Sequence, residues 1–298
     1  MKKISSFLVI LLILPVLLIS KTELHLKSYP VAQYTPSAED LSREGGNPNS
    51  MMQTGALAIG PMNIDSNLEE EAVVIDARLG VIVLLEGFLD FGTTGMHTRL
   101  NAAGVIPQAQ PFNTPPFEYS GQEQLGFIPP FMTDWILVEL WDSTTNEVIA
   151  RKAAILSNFG LVLDVDGQPG VFFQDVPDQG YLIAIRARGH LPILSSQTHR
   201  LSPATEELSV YDFSLAVEQA RGNEQMKRTL AGFVLYAGDY NGDGIINNLD
   251  YNLWAQNASA LNAYLPVDGD GNAIINNLDF NLWTSNGSKI GDPLLVNP

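Results

Sequence analysis

The tightest constraint on this chain is a duplication near its C-terminus. Residues 239–259 read DYNGDGIINNLDYNLWAQNAS and residues 268–288 read DGDGNAIINNLDFNLWTSNGS. Each copy sets oxygen-bearing side chains at alternate positions, closes on an aspartate at position 12, and runs on into a helical pattern. A single run of Asp, Asn and Gly reads as a turn-rich linker. Two copies with matched flanking segments read instead as a pair of cation loops.

Calcium takes roughly six to eight oxygens, and a loop of about twelve residues supplies them from positions 1, 3, 5, 7 (a carbonyl), 9 and 12. In the first copy these are Asp239, Asn241, Asp243, the carbonyl of Ile245, Asn247 and Asp250. In the second they are Asp268, Asp270, Asn272, the carbonyl of Ile274, Asn276 and Asp279. Each loop thus offers enough carboxylates to balance the ion with a modest negative excess. Magnesium fits worse, because it demands a tighter octahedron and keeps its waters. Position 6 is Gly244 in the first loop but Ala273 in the second. A side chain with a Cβ pays roughly 1–2 kcal/mol at positive φ, so two Ca2+ sites are expected, the second weaker.

Neither loop is preceded by a helical pattern. Leu235-Tyr236-Ala237-Gly238 reads as extended chain and a turn, and Pro266 biases Leu265 away from the helical region. Only exit helices remain. Ile246, Leu249, Leu253 and Trp254 in one, and Ile275, Leu278, Leu282 and Trp283 in the other, form apolar stripes expected to pack together about a pseudo-twofold axis. Core packing accounts for both tryptophans.

With loops and exit helices but no entering helices, residues 237–288 resemble a dockerin, the paired loop-helix calcium module. The motif Asp-x-Asn-x-Asp-Gly-x-Ile-Asn-x-x-Asp stands unbroken at Asp239 to Asp250. The resemblance implies a calcium-folded adaptor that docks on a cohesin-like protein through loop positions 10 and 11, here Asn248, Leu249, Asn277 and Leu278. Both copies carry the same Asn-Leu pair, so either repeat would present the same face. The hydroxyl pair common in cellulosomal dockerins is absent, which leaves open docking on a partner or a self-contained calcium-folded domain.

Composition bounds the remainder. A net charge of -17 and a pI near 4.4 argue against nucleic acid or an anionic membrane surface as partner. Zero cysteines exclude disulfides, thiolate metal sites and a cysteine nucleophile. Lys2 and Lys3 precede an apolar run from Phe7 to Ile19, the layout of a signal peptide over residues 1–20 and too short to span a bilayer. The expected location is therefore outside the cell or on the surface of a bacterium, with the periplasm as an alternative and no membrane span after cleavage. Calcium there can supply stabilisation that disulfides would otherwise give. Residues 21–67, dense in Pro, Gly and Ser, read as a disordered linker.

Residues 68–215 change to a β pattern. Val73 to Ile75, Val81 to Leu85, Trp135 to Trp141, Val148 to Leu156, Leu161 to Val165, Val171 to Phe173, Tyr181 to Ala187 and Leu208 to Phe213 are short runs bounded by turn residues. Tyr181, Ile183, Ile185 and Ala187 alternate with Arg186 and Arg188. The expected fold class is mostly β: a β-sandwich followed, after a connector at 216–236, by a small α-helical calcium domain at 237–290 and a tail at 291–298. Residues 101–133 form a Pro-rich insertion, either a binding loop or a structural strap. The runs VLLEGFLD, DWILVELWD and GYLIAIRARGHLPIL are similar to a poorly characterised hemagglutinin-like β-sandwich of exported bacterial surface proteins, a resemblance that brings no catalytic residue.

Catalytic motifs of the HExxH, GxSxG, GxxxxGK and GxGxxG kinds are absent. The histidines are His25, His97, His190 and His199, of which His190 stands at a strand end as a loop cap. Glu86, Asp90, Asp134, Glu139 and Asp142 are candidate glycosidase carboxylates by type alone, while Asp142, Asp164 and Asp166 read as turn formers. Trp135 and Trp141 share one strand; core packing is the first reading, a sugar-stacking face the second. Asn257-Ala-Ser259 and Asn286-Gly-Ser288 match glycosylation acceptors at helix ends. The expectation is an exported non-catalytic protein with a calcium-dependent docking or folding module. The alternative is a component of polysaccharide breakdown, a sugar-binding module or small glycoside hydrolase, with a polysaccharide as partner.

Overall fold

Short runs of β-branched and aromatic residues cut by Gly, Pro and Asp turns dictate a mostly β chain, and the computed structural model, which describes residues 73–90 and 94–296, has that composition. The signal peptide and linker expected from the sequence lie outside the described residues. The elements in order are β1 (Val74–Ile82), α1 (Arg99–Ala102), β2 (Met132–Asp142), β3 (Val148–Ser157), β4 (Val162–Leu163) and β5 (Val171–Pro177). There follow β6 (Gly180–Ala187), β7 (Ile193–Leu194), β8 (His199–Arg200), β9 (Ser202–Pro203), β10 (Val210–Asp212), β11 (Lys227–Thr229), β12 (Gly232–Val234), α2 (Asn248–Asn257) and α3 (Asn277–Asn286). The first two expected runs are one strand: β1 runs through Gly80, whose absent side chain lets Val210 of β10 approach.

Two sheets carry the chain. The larger runs β4-β3-β2-β6-β7 with β8 on β6, and the smaller runs β10-β1-β5 with β9 on β1. The pairings are antiparallel except β1 with β10. Ile136, Val138 and Leu140 stand opposite Ala187, Ile185 and Ile183, and they share one core with Ala77, Leu79 and Val81 of β1. This is the packing of a β-sandwich.

The other face of β2 and β6 departs from the expected pattern, because it too is buried. Leu137, Glu139 and Trp141 stand opposite Arg186, Ala184 and Leu182. Glu139 accepts from Arg186 Nε at 3.1 Å and pairs with Arg151 Nε at 3.0 Å, so the charges satisfy one another inside the fold. Such a buried pair tolerates no loss of one partner. Trp141, Leu182, Ala184 and Leu194 pack with Leu295, which is fully buried, so the segment read as a tail closes this face. Arg221 holds that closure with two 2.6 Å bonds to Asp292.

The insertion is a strap. Ile106, Phe112, Tyr119 and Leu125 enter the main core, and Trp135 Nε1 donates to Pro107 O at 2.8 Å. Trp135 and Trp141 are both buried, which removes the sugar-stacking face considered for them. The expected connector carries the β11–β12 hairpin and delivers Leu235 to the core. No helix among the described residues is long and apolar enough to cross a membrane.

Leu295→Ala tests the closure. Removing a fully buried leucine side chain is expected to cost about 2–4 kcal/mol in urea unfolding at fixed calcium, whereas a free tail would give no change.

Candidate calcium centre

Each loop is shaped by its own side chains and then by the other repeat. Asn247 and Asn276 cap α2 and α3 by accepting from Leu249 N and Leu278 N at 2.7 Å each. The position-12 aspartates close the capping boxes, Asp250 accepting from Asn247 N and Asp279 from Asn276 N at 2.8 Å each. Their second oxygens turn back over the loop, to Tyr240 N at 2.7 Å for Asp250 and to Gly269 N at 2.8 Å for Asp279. At position 1, Asp239 accepts from Gly244 N at 3.0 Å and Asp268 from Ala273 N at 2.8 Å. The two loops share these bonds, as their shared sequence requires, and differ at position 5, whose N–H donates to Asn241 Oδ1 at 3.0 Å in the first and to Asp268 Oδ1 at 3.1 Å in the second.

The repeats then exchange contacts crosswise. Ile246 pairs with the chain after α3, donating to Lys289 O at 2.9 Å, and Ile275 pairs with the chain after α2, donating to Ala260 O at 2.9 Å. Trp254 Nε1 donates to Asn276 O at 3.0 Å, and Trp283 Nε1 to Asn247 O at 2.8 Å. Tyr251 stands 5.4 Å from Trp283 and Phe280 stands 5.0 Å from Trp254, ring centre to ring centre. These reciprocal pairs define the pseudo-twofold. Leu249 and Leu278, expected in the helix seam, are instead 56% and 54% exposed. The seam is filled by Ile275, Leu253, Trp254 and Trp283 with Tyr240, since the cap turns the first helical residues outward.

The donor set fits a hard cation. Asp239, Asp250, Asp268 and Asp279 are essentially inaccessible, and Asp270 is 7% exposed. One oxygen each from Asp268, Asp270 and Asp279 lie within 4.8 Å of one another. Asp239 Oδ1 and Asp270 Oδ1 are buried with no hydrogen-bond partner, an expense that an ion would remove. Burial, then the charges of Asp250 and Asp243, pushes the Asp239 carboxyl up to about 8. Burial, then Asp279 and Asp268, pushes Asp270 up to about 7, and burial first pushes Asp279 up to about 6. Asp268 and Asp250 are raised by burial as well. Asn241 Nδ2 and Asn272 Nδ2 face Asp243 and Asp270 at 2.6 and 2.8 Å, so a bound cation requires both amides to turn their oxygens inward.

Gly244 and Ala273 both take positive φ, +85° and +64°. The alanine pays the strain expected of it. Its methyl group is buried in the main core, however, which returns about 0.8 kcal/mol of the roughly 1–2 kcal/mol strain. The partner-face residues Asn248, Leu249, Asn277 and Leu278 are all exposed. Leu278 borders a groove of about 380 Å3 shared with Glu86, Leu89 and Arg99. A second cleft, of about 390 Å3, opens where Pro115, Pro116 and Phe117 of the strap meet Tyr240, Gly242 and Tyr264.

Other residues singled out by sequence fall elsewhere. His190 is buried between two backbone carbonyls, Arg188 O at 2.9 Å and Glu86 O at 2.8 Å, rather than capping a loop, and burial lowers its pKa. His97 is buried and stacks on Phe88, and His199 contacts Ser209 at 2.9 Å. Asp90 lies near Arg99 at 3.8 Å. Asp142 accepts from Thr144 N and Thr145 N, and Asp166 from Gln168 N, as turn formers do. Asp164 is instead buried against Lys152 at 2.8 Å. Asn286 is buried and donates to Glu86 Oε2 at 2.5 Å, so its acceptor motif is closed in the folded chain.

Tyr240 is a functional residue that the sequence reading passed over. It sits at loop position 2, where no ligand is expected, yet its buried hydroxyl donates to Asp279 O at 2.7 Å and ties one loop to the other. The signal available was its mismatch with Gly269 at the same position of the second copy.

No protein-family model matches the chain, and no curated protein matches it. Solved structures that align with it include two mutants of a type II Cohesin-X-Dockerin complex from Acetivibrio cellulolyticus. The C-terminal interface mutant does so at 14% identity and a TM-score of 0.35, over 72% of this chain and 97% of that one. The N-terminal interface mutant gives 13% identity and a TM-score of 0.31, over 73% and 97%. Scores this low carry no argument about fold or function.

The crossed indole bonds predict matched losses. Trp254→Phe and Trp283→Phe each remove one donor from a carbonyl that keeps only its long helix bond, from Phe280 N at 3.4 Å and Tyr251 N at 3.5 Å, and are expected to cost about 0.5–1.5 kcal/mol, in equal measure, by thermal unfolding in excess calcium. A large asymmetry between them would contradict the pseudo-twofold.

Proposed function

We propose that this chain is an exported, non-catalytic protein whose C-terminal repeats form a dockerin-like module with two calcium sites, carried on a β-sandwich with a recognition role. The observation that carries this reading is the buried carboxylate set of the second loop, with an Asp270 oxygen that has no partner inside the protein. Asp239, Asn241, Asp243, the Ile245 carbonyl, Asn247 and Asp250 hold one ion. Asp268, Asp270, Asn272, the Ile274 carbonyl, Asn276 and Asp279 hold the other. Calcium supplies the positive charge that lets these buried carboxylates stay ionised together. The protein supplies the turn geometry, through backbone N–H donors that aim each aspartate.

Docking rests on a second feature. Two apolar side chains in equivalent positions, Leu249 and Leu278, stand exposed beside Asn248 and Asn277, where the dockerin resemblance puts contacts to a cohesin-like protein. What supports this reading is that the same apolar residue stands exposed at both copies of the duplicated position, 56% and 54%.

Calorimetric titration of the metal-free full chain is expected to show two calcium ions bound. Asp250→Asn should remove one and Asp279→Asn the other. A chain that binds none, with unchanged circular dichroism at millimolar calcium, would overturn the module. Immobilised cohesin should retain the calcium-loaded chain and release a Leu249→Asp/Leu278→Asp double variant that still binds both ions. Equal retention of the two would remove this face from the docking role.

A further inference from the structure

The second loop does not stand free of the sandwich. The turn after β1 brings Gly87, at φ +82°, so close that a Cβ there would lie 2.3 Å from Gly269 O and 3.1 Å from the Asp270 Cα. The adjacent Phe88, itself buried, covers Gly271, where a Cβ would fall 2.3 Å from the ring. Loop position 4 is thus a glycine because a sandwich side chain occupies the space its own would need, whereas position 2, Gly269, is kept bare by the Tyr240 hydroxyl of the first loop, 2.7 Å from where its Cβ would lie. Ala273 at position 6 completes the contact by placing its methyl group in the sandwich core.

The same loop is gripped at both its ends. Before it, Arg188 of the sandwich donates to Leu265 O, lies 4.1 Å from the Tyr264 ring centre, and is neutralised by Asp134 at 2.9 Å. At the last residue of α3, Asn286 donates to Glu86 at 2.5 Å and to Ala237 O at 2.8 Å. The first loop meets different surroundings: Gly242 lies against Pro116 of the strap and Gly244 against Val296.

We infer that the second calcium site is a joint construction of tail and sandwich, with Gly87 and Phe88 as positioning residues that seat the loop backbone and so set its calcium affinity. The inference rests on the calcium reading above. Linkage makes the effect reciprocal: an ion in the second loop stabilises the Glu86–Phe88 turn by as much as the turn stabilises the ion. Occupancy of that one site thereby reports on, and holds, the sandwich.

The test uses the full chain in two backgrounds that each keep one site, Asp250→Asn retaining the second and Asp279→Asn the first. Gly87→Ala should weaken calcium at the second site about tenfold or more while changing the first by less than about twofold. Gly104→Ala is the control, since Gly104 also has positive φ, +68°, but open space around it; it should move neither site. Equal weakening of both sites by Gly87→Ala, or of neither, overturns the inference. Should Gly87→Ala fail to fold, hydrogen exchange in the Asp250→Asn chain decides. Peptides covering residues 84–89 should gain protection over the calcium range that fills the remaining site, and no gain overturns the joint site. If neither background binds calcium at all, the calcium reading falls and this inference with it, an outcome distinct from calcium binding that ignores Gly87.

Discussion

Carboxylates crowded into a dry turn repel one another and lose their water, and they fold there by taking up protons or by gathering a countercharge such as the calcium proposed above. That demand falls on the two C-terminal loops, whose position-1 and position-12 aspartates are buried. The backbone N–H groups of each loop stabilise the aspartates partly, yet Asp239 and Asp270 keep buried oxygens with no partner. A hydrogen-bonded turn alone would not draw the ends of two helices into register. Under the calcium reading proposed above, an ion in each loop would hold both turns in the same form, alongside the crossed contacts of Ile246, Ile275, Trp254 and Trp283.

The sandwich meets a comparable demand by another route. Its larger sheet is buried on both faces, so the charges on the second face must find one another. Glu139 with Arg151 and Arg186, and Asp134 with Arg188, do so within the protein. Pairs of this kind contribute little net stability but punish any alternative packing, because a lone buried charge costs several kcal/mol, about 3–5. They fix which segments may cover the sheet: Leu295 and the strap over one region, the second repeat over another.

The two loop turns were legible because a twelve-residue spacing of Asp and Asn survives in a linear text, and the first and last aspartates of each loop fold back on its backbone N–H groups. The two exit helices were legible through the three-and-four spacing of their apolar residues, whereas the Asn247 and Asn276 caps that start them emerged only in the fold. The strand runs were legible as hydrophobic patterns, though β1 was split at Gly80, whose function depends on Val210 far along the chain. Arg186 and Arg188 looked like a solvent face by alternation. What buries them is Glu139, Asp134 and Leu265, partners brought close only by folding. Leu249 and Leu278 matched a helical stripe, but a period of three and four residues does not say where the cap begins the helix, and the cap turned both outward. Asn286 read as an acceptor motif because nothing local reveals Glu86 across the fold.

The duplication is symmetric in itself and asymmetric in its setting. On the docking reading proposed above, a partner approaching Leu249 would read helix α2 and its loop, whereas one approaching Leu278 would also meet the groove edged by Glu86, Leu89 and Arg99. Two nearly identical faces would then be two unequal landing sites on one molecule. Seated on the sandwich, a sequence repeat that looks like redundancy presents two different neighbourhoods.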